Sequence, residues 1–131
     1  MESHLNKVHQ LALFRSTAVT GASTTVPLIM MGQDATNAHT VTNGIVDLLP
    51  NKTYIISAGL SAESDTKTRL MAVQKSTDGT SWSVAFGANY GGNTSGTSIE
   101  DVLVTTQPMK LRIVSQSNGL SAGVWLRLQV M

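Results

Sequence analysis

The chain is 131 residues long, carries a net charge of +1 and contains no cysteine. That length corresponds to one domain, large enough to bury roughly two-thirds of its unfolded surface. A balance so close to neutral leaves no electrostatic footprint for nucleic acid or an anionic membrane, and the lack of thiols excludes a disulfide scaffold and a thiolate metal site.

Charged residues make up 13% of the chain, about half of the ~25% usual in globular domains. Thr, Ser, Asn and Gly stand where Lys and Glu are common, which favours strands and turns over helices. Residues 1–10 are polar and mixed, and Leu11-Ala-Leu-Phe-Arg15 opens the first apolar run. Residues 1–15 are therefore expected to be an N-terminal arm that orders on a partner, with Leu11, Leu13, Phe14 and Arg15 as its contacts. Residues 16–131 would then form the folded domain.

Val26-Pro-Leu-Ile-Met-Met31 reads as a strand at a sheet edge or one that starts at Pro27, since proline donates no ladder hydrogen bond. Residues 39–42 and 45–49 flank Asn43-Gly44, a strong hairpin signal. Thr53 to Leu60 alternates, with Tyr54, Ile56, Ala58 and Leu60 on one face. Ile55, Ser57 and Gly59 share the other, where the small residues admit a close neighbour. Residues 68–75 are apolar on both faces. Asp78-Gly79 tips a second hairpin, after which Val84, Phe86, Ala88 and Tyr90 are expected to share one face. Residues 99–105 and 109–115 are further strands, the latter with Met109, Leu111 and Ile113 opposite Lys110 and Arg112. In the final strand Val124, Leu126, Leu128 and Val130 face one way and Trp125, Arg127 and Gln129 the other. Nothing elsewhere in the sequence obviously covers Trp125, so Trp125 and Arg127 are expected at an oligomer interface. The whole predicts an all-β, antiparallel β-sandwich of about eight strands.

The chemistry-bearing residues are sparse. His4, His9 and His39 have no metal-ligand spacing and are expected at the surface. Glu63/Asp65 lie in a polar turn and Glu100/Asp101 at a strand start, where solvated roles are expected instead of a glycosidase pair. A calcium site at Glu63-Ser-Asp65 stays open. No serine sits in a nucleophile elbow, and the glycines of residues 87–96 lack the strand-to-helix setting of a phosphate loop. No catalytic residue, metal or cofactor is assigned. Ser76-Thr-Asp-Gly-Thr-Ser-Trp82 resembles the Asp-box hairpin of sialidases, one residue short and in a single copy. Trp82 and Tyr90 are thus candidate glycan contacts, against the simpler expectation that Asp78-Gly79 makes a tight turn and Trp82 packs at its base.

Leu48-Leu-Pro-Asn-Lys-Thr-Tyr-Ile-Ile-Ser-Ala-Gly59 and Gly119-Leu-Ser-Ala-Gly-Val-Trp-Leu-Arg-Leu128 together resemble the jelly-roll domains related to complement C1q and tumour necrosis factor. Relatives of that kind occur among phage capsid decoration and head-fibre proteins, whose low-charge, Thr/Ser/Gly-rich composition is similar. The resemblance implies a compact homotrimer with its C-terminal strand near the three-fold axis and an N-terminal segment free to bind a capsid. The expected function is a non-enzymatic virion protein on the capsid surface, with the major capsid protein as partner and no nucleic acid or membrane. The alternative is a carbohydrate-binding sandwich module of a phage tail or adhesion protein; a cryptic hydrolase ranks third. No window approaches the ~20 apolar residues of a membrane span, and no signal-peptide pattern is present, so synthesis in a host cytoplasm with release by lysis is expected.

Overall fold

The computed structural model describes residues 10–16, 24–33, 39–60, 68–91, 97–117 and 123–131. Among them ten strands form two five-stranded antiparallel sheets, and there is no helix. The first sheet contains β1 (Gln10–Ser16), β2 (Leu28–Gln33), β5 (Thr53–Leu60), β8 (Thr97–Val104) and β10 (Trp125–Val130), in the order β2-β1-β10-β5-β8. The second contains β3 (Thr40–Thr42), β4 (Ile45–Leu48), β6 (Thr68–Ser76), β7 (Ser83–Gly91) and β9 (Met109–Ser117), in the order β3-β4-β9-β6-β7. From β4 onward the chain passes from one sheet to the other at every connection except the β6–β7 hairpin, which is the winding of a jelly roll.

The core lies between the sheets and follows the alternation of the strands. Phe14, Tyr54, Ile56, Leu126 and Leu128 project inward from the first sheet to meet Val46, Met71, Val73, Leu111 and Ile113 from the second. Asn43 and Gly44 adopt φ values of 52° and 79° in the two-residue turn that pairs Thr42 with Ile45. Both residues need positive φ in such a turn, and a Cβ at Gly44 would collide with the carbonyl oxygen of Val26. Val26 itself donates its N–H to Ile113 O at 2.8 Å, in the second sheet. From Leu28 the chain belongs to the first sheet, so Pro27 sits where the chain changes sheets and needs no donor.

The expectations for the arm, Val84 and His39 are corrected. The arm was expected to reach Arg15, but residues 10–16 form β1, hydrogen-bonded between β10 and β2. Ala12 and Phe14 are fully buried there, so Phe14 is a core residue; Leu11, Leu13 and Arg15 are fixed on the outer face of the sheet. An apolar alternation of that kind gains more from a sheet than from a free arm. With β1 and the three-residue β3 included, the strands number ten where about eight were expected. Residues 1–9 lie outside the described residues.

Val84 does not share a face with Phe86. The pairing steps from Val73↔Phe86 to Gln74↔Val84, so one extra residue sits in β7, and Val84 turns outward at 56% exposure.

His39 is buried, at 2% exposure, where the surface was expected. Its Nε2 lies 2.8 Å from the hydroxyl of Tyr54, which also accepts the Leu49 N–H at 2.8 Å. Gln33 clamps the His39 backbone, donating from Nε2 to His39 O at 3.1 Å and accepting the His39 N–H at 3.2 Å. His4 and His9 lie outside the described residues.

Burial holds His39 below its ordinary value of 6.5. The unfolded chain takes up a proton at a pH where the folded chain still refuses it, so the His39 contribution is complete above about pH 6.5 and is lost as the pH falls from there through the lowered folded value. Thermal unfolding midpoints should therefore fall on acidification below pH 6.5. They should fall less steeply in His39→Gln, and equal slopes in the two proteins would contradict this account.

Candidate functional site

The outer face of the first sheet is where the described side chains depart most from an ordinary protein surface. Its registers place residues in rows across the strands. One row runs Arg15, Trp125, Gly59 and Ser98, from β1 through β10 and β5 to β8. The next runs Leu13, Arg127, Ser57 and Glu100, and the third Leu11, Gln129, Ile55 and Val102. Val104 continues β8 beyond the third row, and Ile29 and Met31 extend the face onto β2.

Leu11, Leu13, Ile29, Met31, Val102 and Val104 are between 40% and 60% exposed. Single apolar side chains scattered on a surface are normal, but six gathered on one sheet face, four on β1 and β2 and two on β8, point to an interaction surface. Trp125 and Arg127, the sequence-predicted interface residues, sit at the centre of this face because β10 is its middle strand. The structure does modify the expectation for Trp125. Its indole lies flat over Gly59, where a Cβ would collide with Cε2, Cζ2 and Nε1 of the ring, so one side of the tryptophan is covered within the subunit. The small face of β5 and the unclaimed tryptophan of β10 answer each other.

The middle row is polar. Ser57 Oγ donates to Glu100 Oε2 at 2.9 Å, Arg127 donates to Ser57 Oγ at 3.3 Å, and the guanidinium lies 3.7 Å from the same carboxylate oxygen. With Trp125, Ser98 and Ile99 these residues border an open hollow of about 300 Å³. Sequence reasoning did not single out Ile29, Met31, Val102, Val104 or the grouping of Arg127 with Ser57 and Glu100. The available signal was that residues 99–104 are apolar on both faces of one strand, Ile99 and Leu103 inward and Val102 and Val104 outward.

The second sheet carries the Asp-box-like hairpin. Asp78 Oδ1 accepts the N–H groups of Thr80 and Ser81, each at 2.8 Å, and the Ser76 hydroxyl at 2.9 Å, while Gly79 takes φ 81°. Those donors, the Ser81 N–H foremost, hold the carboxyl far below the usual carboxylate range. Trp82 packs at the base of the turn under the guanidinium of Arg112, which lies 4.1 Å from the ring centroid. The arrangement is that of the simpler expectation. The backbone of Tyr90 lies eight residues beyond Trp82, near the far end of β7. The Tyr90 side chain lies outside the described residues.

The described carboxylates are each engaged. Asp47 lies 2.7 Å from Lys110 Nζ and accepts the Thr40 hydroxyl, and the Lys110 bond chiefly lowers its pKa. Asp101 accepts the N–H of its neighbour Val102 at 2.8 Å. Glu100 and Asp101 are adjacent on one strand and point to opposite faces, so they do not converge on a cleft. Glu63 and Asp65 lie outside the described residues. Among the described residues no group of three or more His, Asp or Glu could hold a metal ion.

No protein-family model matches the chain, and a search of curated proteins finds no match. Solved structures do resemble it. The crystal structure of murine APRIL at pH 5.0 superposes with a TM-score of 0.76 at 15% identity, covering 94% of this chain and 99% of that one. The murine APRIL structure at pH 8.5 gives 0.74 at 15% identity over 94% and 99%. Eiger TNF from S. frugiperda gives 0.70 at 11% identity, over 94% of this chain and 92% of that one. The protein therefore has a TNF-like jelly-roll fold, in keeping with the resemblance read from its sequence. At such identities the likeness carries the fold alone and says nothing of capsids or carbohydrate.

The close fit of Trp125 over Gly59 yields a direct test. In a Trp82→Phe background, which leaves Trp125 as the only tryptophan, Gly59→Ala should lift the indole off the sheet. The expected result is a red-shifted emission and a loss of about 1–3 kcal/mol of stability from overpacking. Unchanged emission and stability would show that the ring does not rest on Gly59.

Proposed function

We propose that this chain is a non-enzymatic structural protein that assembles into a homotrimer through the outer face of the first sheet. The observation that carries the proposal is the set of exposed apolar side chains on that face, Leu11, Leu13, Ile29 and Met31 on β1 and β2 and Val102 and Val104 on β8, flanking a half-buried Trp125. Five strands at ~4.8 Å spacing and about six residues at ~3.4 Å make a face of roughly 24 by 20 Å. With its side-chain relief counted, that is of the order of the ~800 Å² each partner gives to a standard interface. Covering it removes apolar area from water at a gain of about 25 cal/mol per Å². Three-fold stoichiometry is what the jelly-roll resemblance implies, and the central position of β10 suits a strand near the axis. A structural role is supported by the chemistry as well, since the described carboxylates serve turns, ion pairs and sheet contacts.

The more specific role is that of a protein on a virus capsid, attached through its N-terminal segment and adding stability to the shell. Its support is the low-charge, Thr/Ser/Gly-rich composition. With β1 built into the sandwich, the attaching segment contracts to residues 1–9.

Leu13→Glu combined with Val102→Glu places two like charges in the proposed interface without touching the core. Light scattering should show the wild type at three chain masses and the double variant at one, with the β-sheet circular dichroism of both alike. A double variant that keeps the wild-type mass would overturn the interface. Deleting residues 2–9 should leave the trimer intact and abolish co-sedimentation with shells of the major capsid protein; undiminished co-sedimentation would remove the attachment role.

A further inference from the structure

Resting on the assembly proposed above, we infer that Arg127, Ser57 and Glu100 determine the geometry and stoichiometry of the assembly, while the apolar residues around them supply its strength. The three come from adjacent strands, β10, β5 and β8, and lie in one row of the sheet. Their contacts run Arg127 to Ser57 at 3.3 Å and Ser57 to Glu100 at 2.9 Å, with Arg127 and Glu100 3.7 Å apart. Within the subunit the ion pair is open to water, the side chains of Arg127 and Glu100 being 46% and 59% exposed. The row above holds Arg15, Trp125, Gly59 and Ser98 and the row below Leu11, Gln129, Ile55 and Val102, so the polar row lies between the indole on one side and three apolar side chains on the other.

A second copy laid on this face would strip water from both charges. An apolar sheet face alone is indifferent to rotation and sliding, because dispersion and the hydrophobic effect have little direction. A guanidinium has five N–H donors, and among the described residues its one hydrogen bond is to Ser57. The remaining donors and the open acceptor sites of Glu100 must find partners on the neighbouring copy when water is excluded. The ion pair stays intact within the subunit in any register, but a neighbour docked in another register leaves the remaining guanidinium donors and carboxylate acceptor sites desolvated and unmet, a cost that disfavours that register. Because the face carries a cation and an anion side by side, Arg127 of one copy is complementary to Glu100 of the next around a three-fold axis, which commits the occupant to a second copy of this chain.

The experiment uses native mass spectrometry and sedimentation of the full chain. Wild type should give a single trimeric species. Arg127→Met alone leaves Glu100 to be buried unpaired and should raise the dissociation constant at least tenfold. Arg127→Met with Glu100→Leu should associate at least as tightly as wild type but distribute over more than one stoichiometry. The exchanged pair, Arg127→Glu with Glu100→Arg, should restore the single trimer. A double apolar variant that stays a single trimer, or an exchanged pair that stays heterogeneous, would overturn the inference while leaving the interface standing. A monomeric wild type would instead overturn the assembly itself.

Discussion

The structure depends on the register in which β10 lies between β1 and β5. Pairing Trp125 with Gly59, Arg127 with Ser57 and Gln129 with Ile55 sends Leu126 and Leu128 into the core and the odd-numbered side chains outward. A shift of one residue would exchange the two faces, exposing the core leucines and burying Arg127. The bulk of the indole and the lack of a side chain at Gly59 make the observed register the one that packs on the outer face too. The same register aligns Arg127, Ser57 and Glu100, so a constraint that serves folding also builds the row of charged and hydroxyl groups across the middle of the face.

From that register the proposed function follows in steps. The inward face of the first sheet closes on the second and supplies the core. Its outward face leaves apolar side chains of β1, β2 and β8 exposed on either side of Trp125 and the polar row, and one subunit in water leaves them uncovered. The outer face of the second sheet is different: Arg112 covers Trp82, Lys110 pairs with Asp47, and Val84 stands out because of a bulge. The asymmetry between the two outer faces is what directs assembly to one of them.

Much of the fold was legible in the sequence because alternation reports burial directly. The faces of β5, β9 and β10, the Asn43-Gly44 turn and the boundary at Pro27 all follow from patterns of two to eight residues. Errors arose where a neighbour decides the outcome. The short run Leu11–Arg15 shows no face until β10 and β2 flank it, so it read as an arm. Val84 follows the alternation of Phe86 until a bulge breaks the period, and a bulge has no fixed sequence signal. His39 is polar and lies outside any apolar run, and only the fold brings Tyr54 to it. The interface was half legible. Trp125 and the small face of β5 could be named, whereas the meeting of β8 with β5 that adds Glu100, Val102 and Val104 joins residues more than forty positions apart.

The central claim is that the outer face of the first sheet, and not that of the second, is covered by further copies of the chain. Hydroxyl-radical footprinting of dilute and concentrated protein, read by mass spectrometry, tests it residue by residue. The account predicts that labelling of Leu13, Met31, Val102 and Val104 falls on concentration while labelling of Val84 on the second sheet stays constant. Equal labelling of the first face at both concentrations, or protection of Val84 in its place, would contradict it.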